Sequence, residues 1–428
     1  MSLTLLLVFV VVASFAIGHL LAQYAQRYVA LSGAEYLLVG VLIGPQVGPH
    51  LLTVDSLMLL SPFVSLLLGL VGFMLGLRAP RALAQVRYAA TGLLAGGGVL
   101  ALVGGATMLV AIGAIPEPDK TPLLARELVQ RGSWALDLYI THEQLWLGVA
   151  LGAAASVASP FVVESTSKML GSRGPVSSML AVAATTTEVV AVLAAGVVEA
   201  AARATNAATQ LGLGVGRWAA AAAGVGVACG LLFSLFIGRE RDTPRIFLAS
   251  LGAVIFASGI GAAVGISPLF VNLIAGATVA LTSPLAGRLR EEMDRLQHAA
   301  FVLVMIFAGA LWAPTEGRLW LLPVAYLLVR FAARRVLTRI ATRLWTSTPA
   351  HASRLGNGLM SQGTLAVALG LDFAQRFPEL SSAVLTTVLI GTLASDLWSI
   401  RALRSVLLDA GEVAETTGAA DAAGGAQT

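Results

Sequence analysis

The stretch from Leu145 to Glu199 decides how this chain is read. It starts as an apolar helix and is interrupted at Ala155-Ser156-Val157-Ala158-Ser159-Pro160. After a short polar turn it resumes as a second apolar helix with Thr185-Thr186-Thr187-Glu188 near its middle. A carboxylate at bilayer depth is expensive and needs a partner or a water-filled cavity, so Glu188 marks a functional site. A proline break in a neighbouring span frees backbone carbonyls and amides that can act as ligands. Together the two features point to an ion site.

Composition places that stretch in a membrane. Apolar residues make up 57% of the chain and charged residues 12%, with a mean hydropathy of +0.84; ordinary soluble domains carry roughly 25% charged residues. The 45 glycines suit closely packed transmembrane helices. The single cysteine, Cys229, excludes an intramolecular disulfide and a multi-cysteine metal site. The net charge of +4 comes from basic residues in short loops, which read as topology signals and not as a nucleic-acid surface. No Lys or Arg precedes the apolar run Leu3 to Tyr24, which is too long for a secretory signal and reads as a first span.

About 20 apolar residues cross a bilayer, and that rule gives about 13 candidate spans. They cover roughly 3 to 24, 34 to 52, 57 to 77, 88 to 115, 145 to 164, 175 to 199, 217 to 238, 245 to 264, 267 to 283, 299 to 314, 319 to 340, 356 to 375 and 381 to 404. With the N-terminus outside, the inner loops collect most of the 27 basic residues, including Arg78, Arg81, Arg87, Arg239, Arg241, Arg334 and Arg335. That bias predicts an inner-membrane protein with its N-terminus outside and its C-terminus in the cytoplasm.

Between the spans, 116–143 reads as an extracytoplasmic loop whose aromatic end, around Trp134, Tyr139 and Trp146, lies at the interface; partner docking is the other reading. Leu285 to His298 reads as an amphipathic inner-face connector, and 408–428 as a disordered cytoplasmic tail with no regulatory domain.

Ion sites of this kind are commonly built twice, by inverted repeats whose broken helices cross at the midplane. A matching interruption lies inside the twelfth span at Gly356-Asn357-Gly358-Leu359-Met360-Ser361-Gln362-Gly363-Thr364, antiparallel to the first. The predicted breaks are therefore Ser156, Ser159 and Pro160 in one helix and Ser361, Gln362, Gly363 and Thr364 in the other. Arg330, well inside the eleventh span, is the best counter-charge for Glu188, with snorkelling toward Arg334 as the alternative. Burial and a guanidinium act in opposite directions on a carboxylate, a balance that lets it exchange a proton for a cation. His19, Asn272, Asp372, Asp396 and Glu164 are weaker polar candidates; Asp372 and Asp396 fall near predicted span ends, where water reaches them. Walker loops, metal-ligand clusters and nucleophile elbows are missing, so neither an enzyme nor a cofactor is expected.

Several short motifs resemble the monovalent cation:proton antiporter superfamily, the sodium/proton exchanger fold, and within it the CPA2 or Kef-like branch. Tyr36-Leu37-Leu38-Val39-Gly40-Val41-Leu42-Ile43-Gly44-Pro45 is similar to that family's second-span signature. Ala158-Ser159-Pro160 resembles its broken-helix step, Ile266-Ser267-Pro268 with Leu273-Ile274-Ala275-Gly276 a further segment, and Ser361-Gln362-Gly363-Thr364 the second broken helix. The resemblance covers roughly residues 3 to 407 and implies one transmembrane domain, 1–407, with two crossing discontinuous helices. It also implies a core moving against dimerisation helices in an elevator-like cycle, in a homodimer. It puts Glu188 at the cation- and proton-carrying acid, Thr187 at the preceding polar residue, and Arg330 at the embedded base. This chain departs from the family pattern in having Glu for Asp at 188, a neutral Thr187, and Leu365 where the Kef-like motif has Glu.

These readings predict electroneutral 1:1 exchange of K+ or Na+ for a proton. Glu188 carries either ion, and the hydroxyls of Thr185, Thr186 and Thr187 supply oxygen ligands with the freed carbonyls. The monovalent cation, at Glu188 only, is the one metal expected. Arginine holds its proton at any accessible pH, so Arg330 cannot carry a second one. A non-exchanging subunit of the same fold, channel-like or sensing, is the main alternative, and an organic-anion symporter a second. The expected partners are the cation, the proton, membrane lipid and a second copy of the chain, with no nucleic acid.

Overall fold

A computed structural model describes residues 33–47, 52–114, 142–172, 174–206, 215–237, 242–345 and 354–413. They are helical, with no strand among the described residues. The helices are α1 (Ala34–Ile43), α2 (Val54–Leu59), α3 (Ser61–Leu83), α4 (Val86–Ala114), α5 (His142–Ser156), α6 (Pro160–Met169), α7 (Pro175–Asn206) and α8 (Val215–Ile237). There follow α9 (Thr243–Val264), α10 (Pro268–Thr282), α11 (Ala286–Leu311), α12 (Leu321–Trp345), α13 (Leu355–Gly358), α14 (Gly363–Arg376) and α15 (Ser381–Asp409). Eight spans among the described residues, one of them the interrupted pair α5 and α6, are long and apolar enough to cross a membrane. This is an integral membrane protein. The expected first span, 3 to 24, His19 and nearly all of the 116–143 loop lie outside the described residues.

Three boundaries differ from the sequence reading. The second span ends early, at Ile43, where Gly44-Pro45 stops the helix because proline has no N–H to continue the ladder. The amphipathic connector 285 to 298 and the tenth span are one helix, α11; no glycine or proline separates Leu289 from Phe301 to break it. The last helix runs on through Asp409, and Glu412 beyond it is ordered. Its carboxylate accepts from the N–H groups of Val176 and Ser177 and from Ser172 Oγ, closing the N-terminus of α7. Four N–H groups at a helix start lack intrahelical partners, and an anion there also meets the positive end of the dipole. The rest of the tail, from 414, lies outside the described residues.

The helices pack as two bundles. In one, α10 lies along α3, with α8, α9, α11 and α1 around them; in the other, α4 packs on α5, α7 and α12, and α13, α14 and α15 complete it. Lipid tails give helices no hydrophobic reason to associate, so close backbone approach has to supply the packing. Gly76 and Gly276 do this between α3 and α10. A Cβ at Gly76 would sit 2.3 Å from the Leu273 carbonyl oxygen, and one at Gly276 2.3 Å from that of Phe73. By contrast Gly97 on α4 faces open space. Gly276→Leu is therefore expected to destabilise the detergent-solubilised protein by about 1–3 kcal/mol or more, the usual cost of overpacking. Gly97→Leu should leave its melting curve close to wild type.

Candidate ion site at the helix crossing

Both predicted interruptions form, and they touch. Between α5 and α6 the chain is non-helical over 157–159; between α13 and α14 a non-helical step covers 359–362. Ser159 N–H donates to the Ser361 carbonyl at 3.1 Å, which pins one break on the other. Gly363 has φ 63°, and a Cβ there would lie 2.7 Å from Ser159 Oγ, so conformation and space both demand glycine.

Each break leaves helix ends without partners, and side chains meet them according to charge. At the C-terminal end of α5, Arg330 donates from Nε to the Ala155 carbonyl at 2.9 Å and from Nη2 to that of Val157 at 3.1 Å. Arg334 Nη2 reaches the Ser156 carbonyl at 2.7 Å, and Gln362 Nε2 reaches that of Ala154 at 3.0 Å. Two buried guanidiniums thus stand at the negative end of a helix dipole. At the N-terminal end of α14 the sign reverses: Asp396 Oδ1 accepts from Gln362 N–H at 2.9 Å and from Gly363 N–H at 3.4 Å. Ser159 Oγ caps α6, and Ala158 N–H donates to Thr187 Oγ1 at 3.0 Å.

A cavity of about 280 Å³ opens beside the crossing, between the two bundles. Glu35, Arg78, Gln297 and His298 give it a polar rim, Val71, Met74, Leu75 and Phe301 its apolar wall, and Ser159, Pro160, Gly363, Thr364, Asp396 and Glu188 its deep end. Arg78 donates to Gln297 Oε1 at 2.6 Å and pairs with Asp294. Glu188 forms no hydrogen bond or ion pair with the described residues; the charged groups facing it are Arg78 from α3 and Glu164 from α6.

Several sequence expectations are corrected by this geometry. The ion pair of Glu188 with Arg330 is not formed, because Arg330 is engaged by the carbonyls of the first break and by Ser395 Oγ at 3.1 Å. Thr186 and Thr187 do not line the cavity. Thr186 Oγ1 donates to the Val182 carbonyl, and Thr187 Oγ1 is used by Ala158 N–H and the Ala184 carbonyl. Ser156, Ser361 and Gln362 form the breaks without facing the cavity. Asp396 is buried at the crossing and not at a wet helix end, since α15 extends to Asp409 and leaves it mid-helix. Asp372 is buried too, beside Arg376. Asn272 donates to Ser258 Oγ at 3.0 Å and to the Pro268 carbonyl, a packing arrangement.

No family model matches the sequence, and no curated protein does. Solved structures do. The structure of the sodium proton antiporter MjNhaP1 from Methanocaldococcus jannaschii, at pH 8, superimposes with coverage of 95% of this chain and 99% of its own, a TM-score of 0.63 and 14% identity. This chain has the sodium/proton antiporter fold. An electron-microscopy structure of the same antiporter gives a TM-score of 0.59 at 15% identity, covering 96% of this chain and 98% of that one.

If Asp396 is in place to satisfy the two amides of the second break, the acceptor matters as well as the charge. Asp396→Asn, which keeps an oxygen there, should lower the melting temperature less than Asp396→Ala, which orphans two buried N–H groups at about 1–3 kcal/mol each. Equal losses in thermal denaturation of the purified protein would remove the capping assignment.

Proposed function

We propose that this protein is a secondary transporter exchanging a monovalent cation, Na+ or K+, for a proton, with Glu188 as the group that carries either one. The observation that carries this reading is the division of labour among buried charges. Arg330, Arg334 and Asp396 are consumed by the two helix breaks, while Glu188 stands in the cavity with no fixed partner. A carboxylate that neutralises nothing permanently is free to bind a proton or a cation in turn. Ser159 and Thr364 hydroxyls beside it offer oxygen ligands of the kind hard cations take.

The antiporter fold supports the same reading, since its structural neighbour is a sodium proton antiporter. One free carboxylate supports an electroneutral 1:1 cycle, and the superfamily resemblance supports a homodimer in which the bundle bearing Glu188 moves against the other. In this reading the cavity rim faces the cytoplasm, in line with the basic bias of Arg78 and Arg81 on that side, and the N-terminus lies outside. The role of Arg330 is then to hold the crossing together.

In proteoliposomes, Na+, K+ or Li+ added to the wild-type protein should drive proton movement in at least one case, with no response to an imposed membrane potential. Glu188→Gln should abolish it. A wild type silent with all three cations, or a fully active Glu188→Gln protein, would overturn the proposal.

A further inference from the structure

Away from the cavity the protein buries a second group of charges. Along α7, Glu199 lies eleven residues beyond Glu188, about 16 Å at the helical rise. Asp372 and Arg376 lie toward the end of α14, which runs away from the break at Gly363. Arg376 Nε is 3.2 Å from Glu199 Oε1 and 3.5 Å from Asp372 Oδ1. Arg376 Nη1 donates to the Gly265 carbonyl at 2.7 Å, and Ser267 Oγ donates to Asp372 Oδ2. Gly265 and Ser267 form the join of α9 and α10, so these bonds tie the two bundles together.

Charge does not balance there. Two carboxylates share one guanidinium, and among the described residues the charged groups facing Glu199 are Asp372 and Arg376. Neighbouring α5 contributes alanines, Ala150 and Ala153, and the α9–α10 join contributes the Ser267 hydroxyl, the Gly265 carbonyl and the Ser267 backbone N–H, which faces Glu199. Glu199 and Asp372 are both buried, and their carboxyl groups are within hydrogen-bonding reach of each other. Glu199 Oε2 nevertheless has no hydrogen-bond donor among the described residues, and Asp372 Oδ1 has only the 3.5 Å approach of Arg376 Nε, without a hydrogen bond. Facing carboxylates in a dry site cannot both remain ionised beside a single cation. A proton supplies the missing charge and a missing donor at once. The space beside Glu199 is only about 10 Å³, at or below what one water needs, so a hydrated cation does not fit.

We propose that Glu199, Asp372 and Arg376 form a second proton-binding site, holding one proton between the two carboxyl groups at the seam that joins the bundles beyond the cavity floor. With the proton bound the cluster is neutral and the seam closed; without it, a net negative charge remains in a dry contact and favours separation and the entry of water. The site is distinct from Glu188 and does not depend on the transport assignment.

Infrared spectroscopy of the full chain in an ester-free detergent tests it at pH 7 without any transport readout. In a Glu188→Gln background a protonated-carboxyl band is expected. Adding either Glu199→Gln or Asp372→Asn should abolish that band, because the remaining carboxylate then pairs with Arg376 in ionised form. Absence of the band from the Glu188→Gln protein would overturn the proposal even if neither double variant folded. So would its retention in either double variant. Failure of cation exchange in proteoliposomes would leave this result untouched.

Discussion

Everything in this molecule depends on satisfying backbone groups where two helices stop inside the membrane. A continuous helix carries its own hydrogen bonds across hydrocarbon; an interrupted one exposes carbonyls on one side and amides on the other, with no water to receive them. Here the solution is reciprocal. Arginines from α12 meet the carbonyl end of α5, an aspartate from α15 meets the amide end of α14, and Ser159 N–H joins the two breaks directly. Arg330, Arg334 and Asp396 each meet a helix end of opposite sign, although Arg334 Nε and Nη1 have no hydrogen-bond partner among the described residues, and the crossing becomes a hub of helix-end contacts.

That hub explains the form of the cavity. Most residues at its deep end, Ser159, Gly363 and Asp396 among them, hold the crossing together, whereas Glu188 beside them forms no hydrogen bond or ion pair with the described residues. The apolar wall from α3 and α11 belongs to the other bundle, so the crossing lies on one side of the cavity and that wall on the other.

Much of this could be read from the sequence. Proline and glycine punctuation located both breaks, and hydropathy located most helices, since each depends on local chemistry: a missing N–H, a missing Cβ, a run of apolar side chains. What could not be read was partnership across the fold. Arg330 and Glu188 are both charges inside spans, and from one dimension they look like a pair; only the packing of α12 against α5 reveals that the guanidinium meets carbonyls, which no sequence pattern marks. Asp396 was misplaced for a simpler reason. The boundary of the last span was set by hydropathy, which falls at Arg401 and Arg404, whereas the helix continues to Asp409 as an amphipathic extension. Glu199 and Arg376 were not singled out, because their pairing with each other and the contact of Arg376 with the α9–α10 join unite positions far apart in sequence.

The helix that carries Glu188 is fastened at its start by Glu412, from the far end of the described chain. The position of a residue in the cavity is thereby linked to a segment that hydropathy alone would discard as trailing sequence. A truncation placed just after Asp409 would remove that anchor while leaving every membrane helix intact, and would be mistaken for a neutral trimming. Shortened versions of this protein, and tags fused near its C-terminal helix, need their junction beyond Val413 if α7 is to keep its native footing.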